Sequence, residues 1–285
     1  MPFPWSLNPY MGCVHRCTYC YVRSFEKRAD RPWDDRYGRS IRIKTNVAEV
    51  LRKELVRKSW TRETVVIGAA TDPYQPCEGH YRLTRACIEA LLEARNPFGL
   101  ITRGPMVVRD RDLLAAAAAV VEVRVNVSIP TLDERIWRAT EPATAHPRQR
   151  LRAVRMLAEA GIRVSVLMGP VIPHLSDDDV GLMRVVTAAR EAGAASVSPI
   201  LLHLEPGTRE HFLGELTKVW PDVAERIRRR YGPRVYAAEH DRRELSSRVA
   251  AMRERVPAPQ GLPPLIQSAP EPEPPRLAQQ LGLAL

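Results

Sequence analysis

Three cysteines within eight residues constrain this chain more than anything else in it: Cys13, Cys17 and Cys20 stand at Cys-x3-Cys-x2-Cys in NPYMGCVHRCTYCYVR. The chain has five cysteines, an odd number, and three crowd into one short loop, so the pattern is not a disulfide framework. Such a cluster is expected to hold metal or an iron–sulfur centre in a reducing compartment. A structural zinc site asks for four protein ligands in a closed tetrahedron. His15 lies between two of the cysteines, where joint ligation is awkward, and Cys77 and Cys87 are remote in sequence, so zinc fits poorly. A [4Fe–4S] cube held by three thiolates keeps one iron open to an exogenous ligand, an arrangement suited to chemistry rather than to stability.

The rest of the chain supplies a core to carry such a loop. Of its 285 residues 45% are hydrophobic and 27% charged, which is globular composition and excludes disorder throughout. No window approaches about 18 consecutive apolar residues, and the start MPFPWSLNPY lacks the layout of a signal peptide, so a soluble, cytoplasmic protein with no membrane association is expected. Residues 1–62 hold 14 basic and 6 acidic side chains against a net charge of +10 for the whole chain. That local excess suits a polyanionic partner such as nucleic acid, because neutralising phosphates releases counterions. Arg enrichment from genome composition is the competing explanation.

Down the chain, short β-type runs alternate with longer helical stretches. Strands are predicted near 41–44 or just before the cysteine loop, then at 64–69, 98–102, 123–129, 163–168 and 196–202. Helices are predicted at 47–58, 84–95, 110–119, 148–160 and 177–192, the last two stopped by Gly161 and Gly193. Parallel strands with crossover helices make an α/β fold, either an open doubly wound sheet or a barrel, complete or partial. No GxGxxG follows the first strands, which disfavours a Rossmann dinucleotide site. Function is expected at the C-terminal strand ends, in loops 69–74, 102–105, 128–131 and 169–174. From 257 to 285 eight prolines interrupt the chain, and this segment is expected to be a disordered tail with a short terminal helix as an option.

Cys13, Cys17 and Cys20, with the aromatic Tyr19 before the last of them, resemble the signature of the radical S-adenosylmethionine superfamily. The resemblance implies a partial (β/α)6 barrel, TIM-like, over about 1–215, followed by a helical extension at 216–256 and the Pro-rich tail. It also implies that the three thiolates hold a [4Fe–4S] cluster and that S-adenosylmethionine chelates its open iron. Reduction by an external electron donor such as flavodoxin or ferredoxin then cleaves the sulfonium to a 5′-deoxyadenosyl radical. A narrower likeness comes from TDPYQPCE at 71–78, ITRG at 101–104, SIPTLDE at 128–134 and Glu141-Pro142, which resemble the spore photoproduct lyase-like branch, often labelled DNA repair photolyases. Carried over residue by residue, that likeness sets Tyr19 against the adenine, Thr71 and Asp72 near the methionine amino group, Arg103 at the carboxylate, and Ser128, with Asn126 on the same strand face, at the ribose. Tyr21 takes the place of a tyrosine implicated in radical relay.

One departure stands out. Where the lyase has a hydrogen-donating cysteine before the TxDP-like loop, this sequence reads GAATDP, so Ala69 or Ala70 replaces it. Cys77, later in the same loop, is the candidate substitute, whereas Cys87 falls on an apolar helix face and is expected in the core. Tyr10 and Tyr74 are expected at the active end or packed at its rim, and Glu141 positions substrate or makes a barrel-mouth salt bridge. His174 and His203 follow strand ends, and RIRRRYG at 226–232 is expected to be the cationic end of an exposed helix. Three functions fit these residues: radical hydrogen abstraction on a nucleic acid or nucleotide, radical modification of a protein or small metabolite, and a non-catalytic iron–sulfur sensor.

Overall fold

The computed structural model describes residues 3–262 together with Pro264 and Ile266. β1 (Trp5–Leu7) and β2 (Tyr10–Met11) precede the cysteine loop, α1 (Val22–Arg28) follows it, and β3 (Arg42–Ile43) leads into α2 (Val47–Leu55). Then come β4 (Val65–Ile67), α3 (Glu78–Tyr81), α4 (Leu83–Glu93), β5 (Phe98–Thr102), α5 (Arg111–Ala118) and β6 (Val123–Ser128). The barrel part continues with α6 (Glu134–Thr140), α7 (Pro147–Glu159), β7 (Val164–Val171), α8 (Asp179–Glu191) and β8 (Ser196–Leu201). Three helices close the described chain: α9 (Thr208–Val219), α10 (Pro221–Tyr231) and α11 (Glu239–Arg255).

Six strands form one parallel sheet in the order β1-β4-β5-β6-β7-β8, with the two end strands unpaired to each other. This α/β architecture is the partial barrel that the family resemblance implied, and its six strands agree with the β-type runs read from the sequence. The first strand of the sheet is the one just before the cysteine loop. The 41–44 run instead supplies β3, which pairs antiparallel with β2 through Tyr10↔Ile43 and Met11↔Arg42. Both halves of that alternative therefore exist, but only β1 joins the barrel.

The alternation along β6 shows why the sheet sits as it does. Val123, Val125 and Val127 are buried in the core under the helices, while Arg124, Asn126 and Ser128 face the other way. Gly161 and Gly193 end their helices at φ +77° and +91°, conformations in which a Cβ is strained. Leu245, Val249 and Met252 of α11 belong to the same core as β5 to β8, so the helices after residue 215 pack onto the barrel. A second cluster joins α9 and α10 to the cysteine loop through Phe212, Leu216, Ile227, Cys17 and Tyr19. Among the described residues no helix is long and apolar enough to cross a membrane. Most of the Pro-rich 257–285 segment, including its optional terminal helix, lies outside the described residues.

Candidate active site

The cysteine loop is clamped by its neighbours rather than held by its own backbone alone. On one side, the Thr71 hydroxyl donates to the Gly12 carbonyl at 2.6 Å. The Gln75 amide donates to the same carbonyl at 3.3 Å and accepts from the Val14 N–H at 3.1 Å. On the other side, the Thr18 N–H donates to Thr140 O at 2.9 Å, and the Thr208 hydroxyl donates to Cys20 O at 3.0 Å. Gly68, at φ +91°, allows the turn after β4 that carries Thr71: a Cβ there would sit 2.3 Å from the Ile101 carbonyl.

Cys13, Cys17 and Cys20 line one cavity at the C-terminal ends of the strands, together with Tyr19, Tyr21, Thr71, Asp72, Arg103 and Ser128. These are nine of the eleven residues singled out from the sequence as catalytic, binding or ligating groups, and they lie beside His15, Arg16 and His203 there. Asn126 and Cys77 are not brought to the cavity. The Asn126 amide reaches the Leu100 carbonyl at 3.4 Å, deeper along the strand than Ser128. Cys77 caps α3 beside Glu78 and Tyr10, on the far side of the 71–78 loop, and burial followed by the Glu78 charge pushes its thiol up to about 11. Cys87 is fully buried in the barrel core, as its helix face implied.

Asp72 is saturated. One oxygen accepts from the Tyr74 N–H at 2.8 Å and the Thr102 hydroxyl at 2.7 Å; the other accepts from the Arg103 N–H at 2.6 Å and lies 3.4 Å from His15 Nδ1. Those contacts use all four lone-pair sites of a carboxylate. Burial alone would raise its pKa, but His15 and these hydrogen bonds outweigh it and hold the group at about 2. Asp72 thus shapes the loop around the cavity from an ionised state.

Glu141 organises the opposite wall. It accepts from the Tyr19 hydroxyl, from Arg103 Nε at 3.0 Å and from Arg150 Nη2 at 2.5 Å. Of the two roles anticipated for Glu141, the structure shows the barrel-mouth salt bridge. Arg103 Nη2 also donates to Gly169 O at 2.9 Å, and its guanidinium stands 5.8 Å from the Tyr19 ring centre. Arg150, fully buried, was missed in the sequence. Its only signal is a charged residue at 150 on the helix face of Ala153, Val154 and Leu157. Tyr10 and Tyr74 are buried behind the loop on Glu78 and Asp110 rather than at the cavity. His203 lines the cavity, stacked on Tyr236 at a centroid distance of 5.6 Å and tilted against Tyr21 at 5.2 Å; His174 does not line it.

The family model of the radical SAM superfamily matches residues 7–186. The chain belongs to that superfamily, and it is a radical SAM enzyme. An uncharacterized protein of Mycobacterium tuberculosis is 38% identical over 253 residues, 88% of this chain and 74% of its own length. The radical SAM Nα-GlyT isomerase of Pseudomonas phage M6 is 25% identical over 229 residues, spanning 79% of this chain and 43% of that protein. Among solved structures, spore photoproduct lyase with bound AdoMet and dinucleoside spore photoproduct superposes with a TM-score of 0.64 at 16% identity, covering 88% of this chain and 73% of that one. At that identity the likeness is one of fold.

Membership implies an iron–sulfur cluster and S-adenosylmethionine, and the donor set fits them. All three loop cysteines are unpaired thiols. Burial raises the Cys13 thiol, the Asp72 charge and the neighbouring cysteines add to it, and burial pushes Cys17 up to about 12 despite Arg103. A coordinating thiol is deprotonated outright, so a cationic centre bound there would hold these buried sulfurs as thiolates and release their protons.

Proposed function

We propose that Cys13, Cys17 and Cys20 hold a [4Fe–4S] cluster and that the adjoining cavity binds S-adenosylmethionine. The observation that carries this is the convergence of three free thiols from one loop with Arg103, Tyr19 and Ser128 at the strand ends. When bound, the pair supplies reductive cleavage of the sulfonium to a 5′-deoxyadenosyl radical that abstracts hydrogen from a substrate, the electron coming from a flavodoxin- or ferredoxin-type donor. The protein's own residues orient and enclose. Arg103, fixed by Glu141 and Gly169, presents a guanidinium for a carboxylate, and Ser128 offers a hydroxyl for the ribose. Tyr19 is pinned by Glu141 with its ring available to the adenine. Thr71 and Asp72 fix the wall at the amino group, while Asn126 supports the strand from below.

The substrate class we propose is nucleic acid or a nucleotide. The phage relative carries the name of a Nα-GlyT isomerase, and the lyase of like fold was solved with a dinucleoside. Within the positive 1–62 segment, Arg39, Arg42 and Lys44 are exposed; β3 carries Arg42 opposite Met11, just before the cysteine loop, and Lys44 follows it. The Tyr21 hydroxyl donates to the Ala69 carbonyl, where the lyase-like pattern has its donor cysteine, and Cys77 is outside the cavity. Literal spore photoproduct reversal through a thiol at this place is therefore not the reaction. A cluster of this kind suits the reducing cytoplasm.

Anaerobic reconstitution followed by assay for 5′-deoxyadenosine tests the reading. We expect about four irons per chain, slow cleavage of S-adenosylmethionine under dithionite, and loss of the cluster on replacing Cys13, Cys17 or Cys20 by Ala. Cys77→Ala and Cys87→Ala should keep both. Stoichiometric zinc and no iron–sulfur absorbance would overturn it; an intact, reducible cluster with no cleavage would favour a sensor.

A further inference from the structure

Arg23 is 2% exposed, yet no carboxylate pairs with it among the described residues. Its Nη1 donates to the carbonyls of Trp33 at 2.7 Å and Asp34 at 2.8 Å, and its Nε is buried without a hydrogen-bond partner. The guanidinium lies 4.5 Å over the ring of Tyr37. Tyr37 is itself 1% exposed, lines the cavity, and places its hydroxyl 3.5 Å from Cys20 Sγ. Gly38 secures this approach: at φ +74° a Cβ would fall 2.2 Å from the Cys13 carbonyl, so the 33–38 segment lies directly on the cysteine loop. A buried cation is paired or it is strongly destabilising. Here the protein pairs no carboxylate with it among the described residues, and past the Tyr37 ring beneath the guanidinium stands the Cys20 sulfur, 3.5 Å from the tyrosine hydroxyl.

We infer that Arg23 and Tyr37 are positioning residues that raise the reduction potential of the cluster bound at Cys20. The inference rests on the cluster reading above. Once Cys20 is a ligated thiolate its sulfur has no proton, so Tyr37 becomes the donor of the hydrogen bond. The uncompensated charge of Arg23 behind the ring acts on the same sulfur. Gain of one electron makes the centre more negative, and both a hydrogen bond to a ligand sulfur and a nearby buried cation favour that state. The electron comes from an external one-electron donor, and no protein bond is made or broken.

The test is a redox titration of the reconstituted protein, followed by electron paramagnetic resonance and without S-adenosylmethionine, for wild type, Tyr37→Phe, Arg23→Gln and Arg23→Lys. Tyr37→Phe keeps the ring under the guanidinium and removes only the hydroxyl. We expect it and Arg23→Gln to retain wild-type iron and sulfide while the reduced-to-oxidised ratio at a fixed potential falls about tenfold, a one-electron shift of about 59 mV to more negative potential. Arg23→Lys should stay near wild type. Should Arg23→Gln fail to fold, Tyr37→Phe decides alone. An unchanged midpoint in a fully loaded Tyr37→Phe overturns the inference, as does loss of the cluster there, which would assign the tyrosine to assembly. Absence of iron uptake by the wild type would instead sink the cluster reading itself.

Discussion

Glu141 shows how a single carboxylate can hold a wall of the site. It is 2% exposed and is shared by Arg103, Arg150 and Tyr19, so removing it strands two cations at once. Breaking a buried pair in this way costs about 3–5 kcal/mol, and Glu141→Ala should lower the urea midpoint accordingly. The same residue gives stability a pH dependence. Burial would raise its pKa, but the charges of Arg150 and Arg103 and the hydrogen bonds lower it from 4.5 to about 2. A carboxylate with a depressed native pKa stabilises the fold above its unfolded value and loses that contribution as pH falls through the native one. Wild-type stability should therefore decline from about pH 4.5 towards 2, and Glu141→Gln should show a shallower decline. An equal slope in both proteins would remove Glu141 from the explanation.

At the scale of elements, the 71–78 segment earns its distinctive sequence by gripping another loop. Thr71 and Gln75 hold Gly12 and Val14, and Glu78 accepts from the Tyr10 hydroxyl, from the Thr84 N–H at 2.9 Å and from Arg109 at 2.7 Å. Gln75 is fully buried and makes its bonds without touching any thiol we assign as a ligand. Removing such a supporting side chain typically costs 10–100-fold in metal affinity. Gln75→Ala should accordingly lose iron to a chelator at least about tenfold faster than wild type while keeping its helical circular dichroism. Equal rates of loss would make the clamp incidental. The longer strands and the helices α2, α4, α5, α7 and α8 were legible from apolar period alone, since β5 and β6 each bury alternate or continuous apolar residues under amphipathic helices. β3 falls on the 41–44 run, but β2 and its pairing with β3 were not legible, because a two-residue strand carries no periodicity and forms only when Tyr10 and Ile43 are brought opposite each other.

Across the whole molecule, charge and the site lie on related surfaces. Arg36 is engaged by Asp34 at 2.8 Å, whereas Arg39, Arg42 and Lys44 are exposed near the cysteine loop. If these track a phosphate backbone, affinity for a short DNA duplex or single strand should fall linearly in a log–log plot against salt. Neutralising all three should reduce the slope by about 2–3 while leaving cluster content unchanged. No binding by the loaded protein at about 50 mM salt, where screening is weak, would move the substrate to a protein or metabolite.

The sequence by itself determined the βα alternation, the helix stops at Gly161 and Gly193 and the three-cysteine loop, because each is written in local spacing or in residues adjacent along the chain; the barrel rather than an open sheet came only from the family resemblance. Only the tertiary structure decided which polar groups meet. Ser128 reaches the cavity and Asn126, two residues away on the same face, does not, because depth along a strand is set by the register of its neighbours. Cys77 does not line the cavity, because the end of the 71–78 loop turns into α3 and Cys77 stands at that helix's start beside Glu78. Arg150, Arg23 and Tyr37 are silent in the sequence for the same reason. Their partners lie 5 to 22, 10 to 14 and 14 to 17 residues away, and a buried charge or hydroxyl reveals its purpose only once the chain has closed around it.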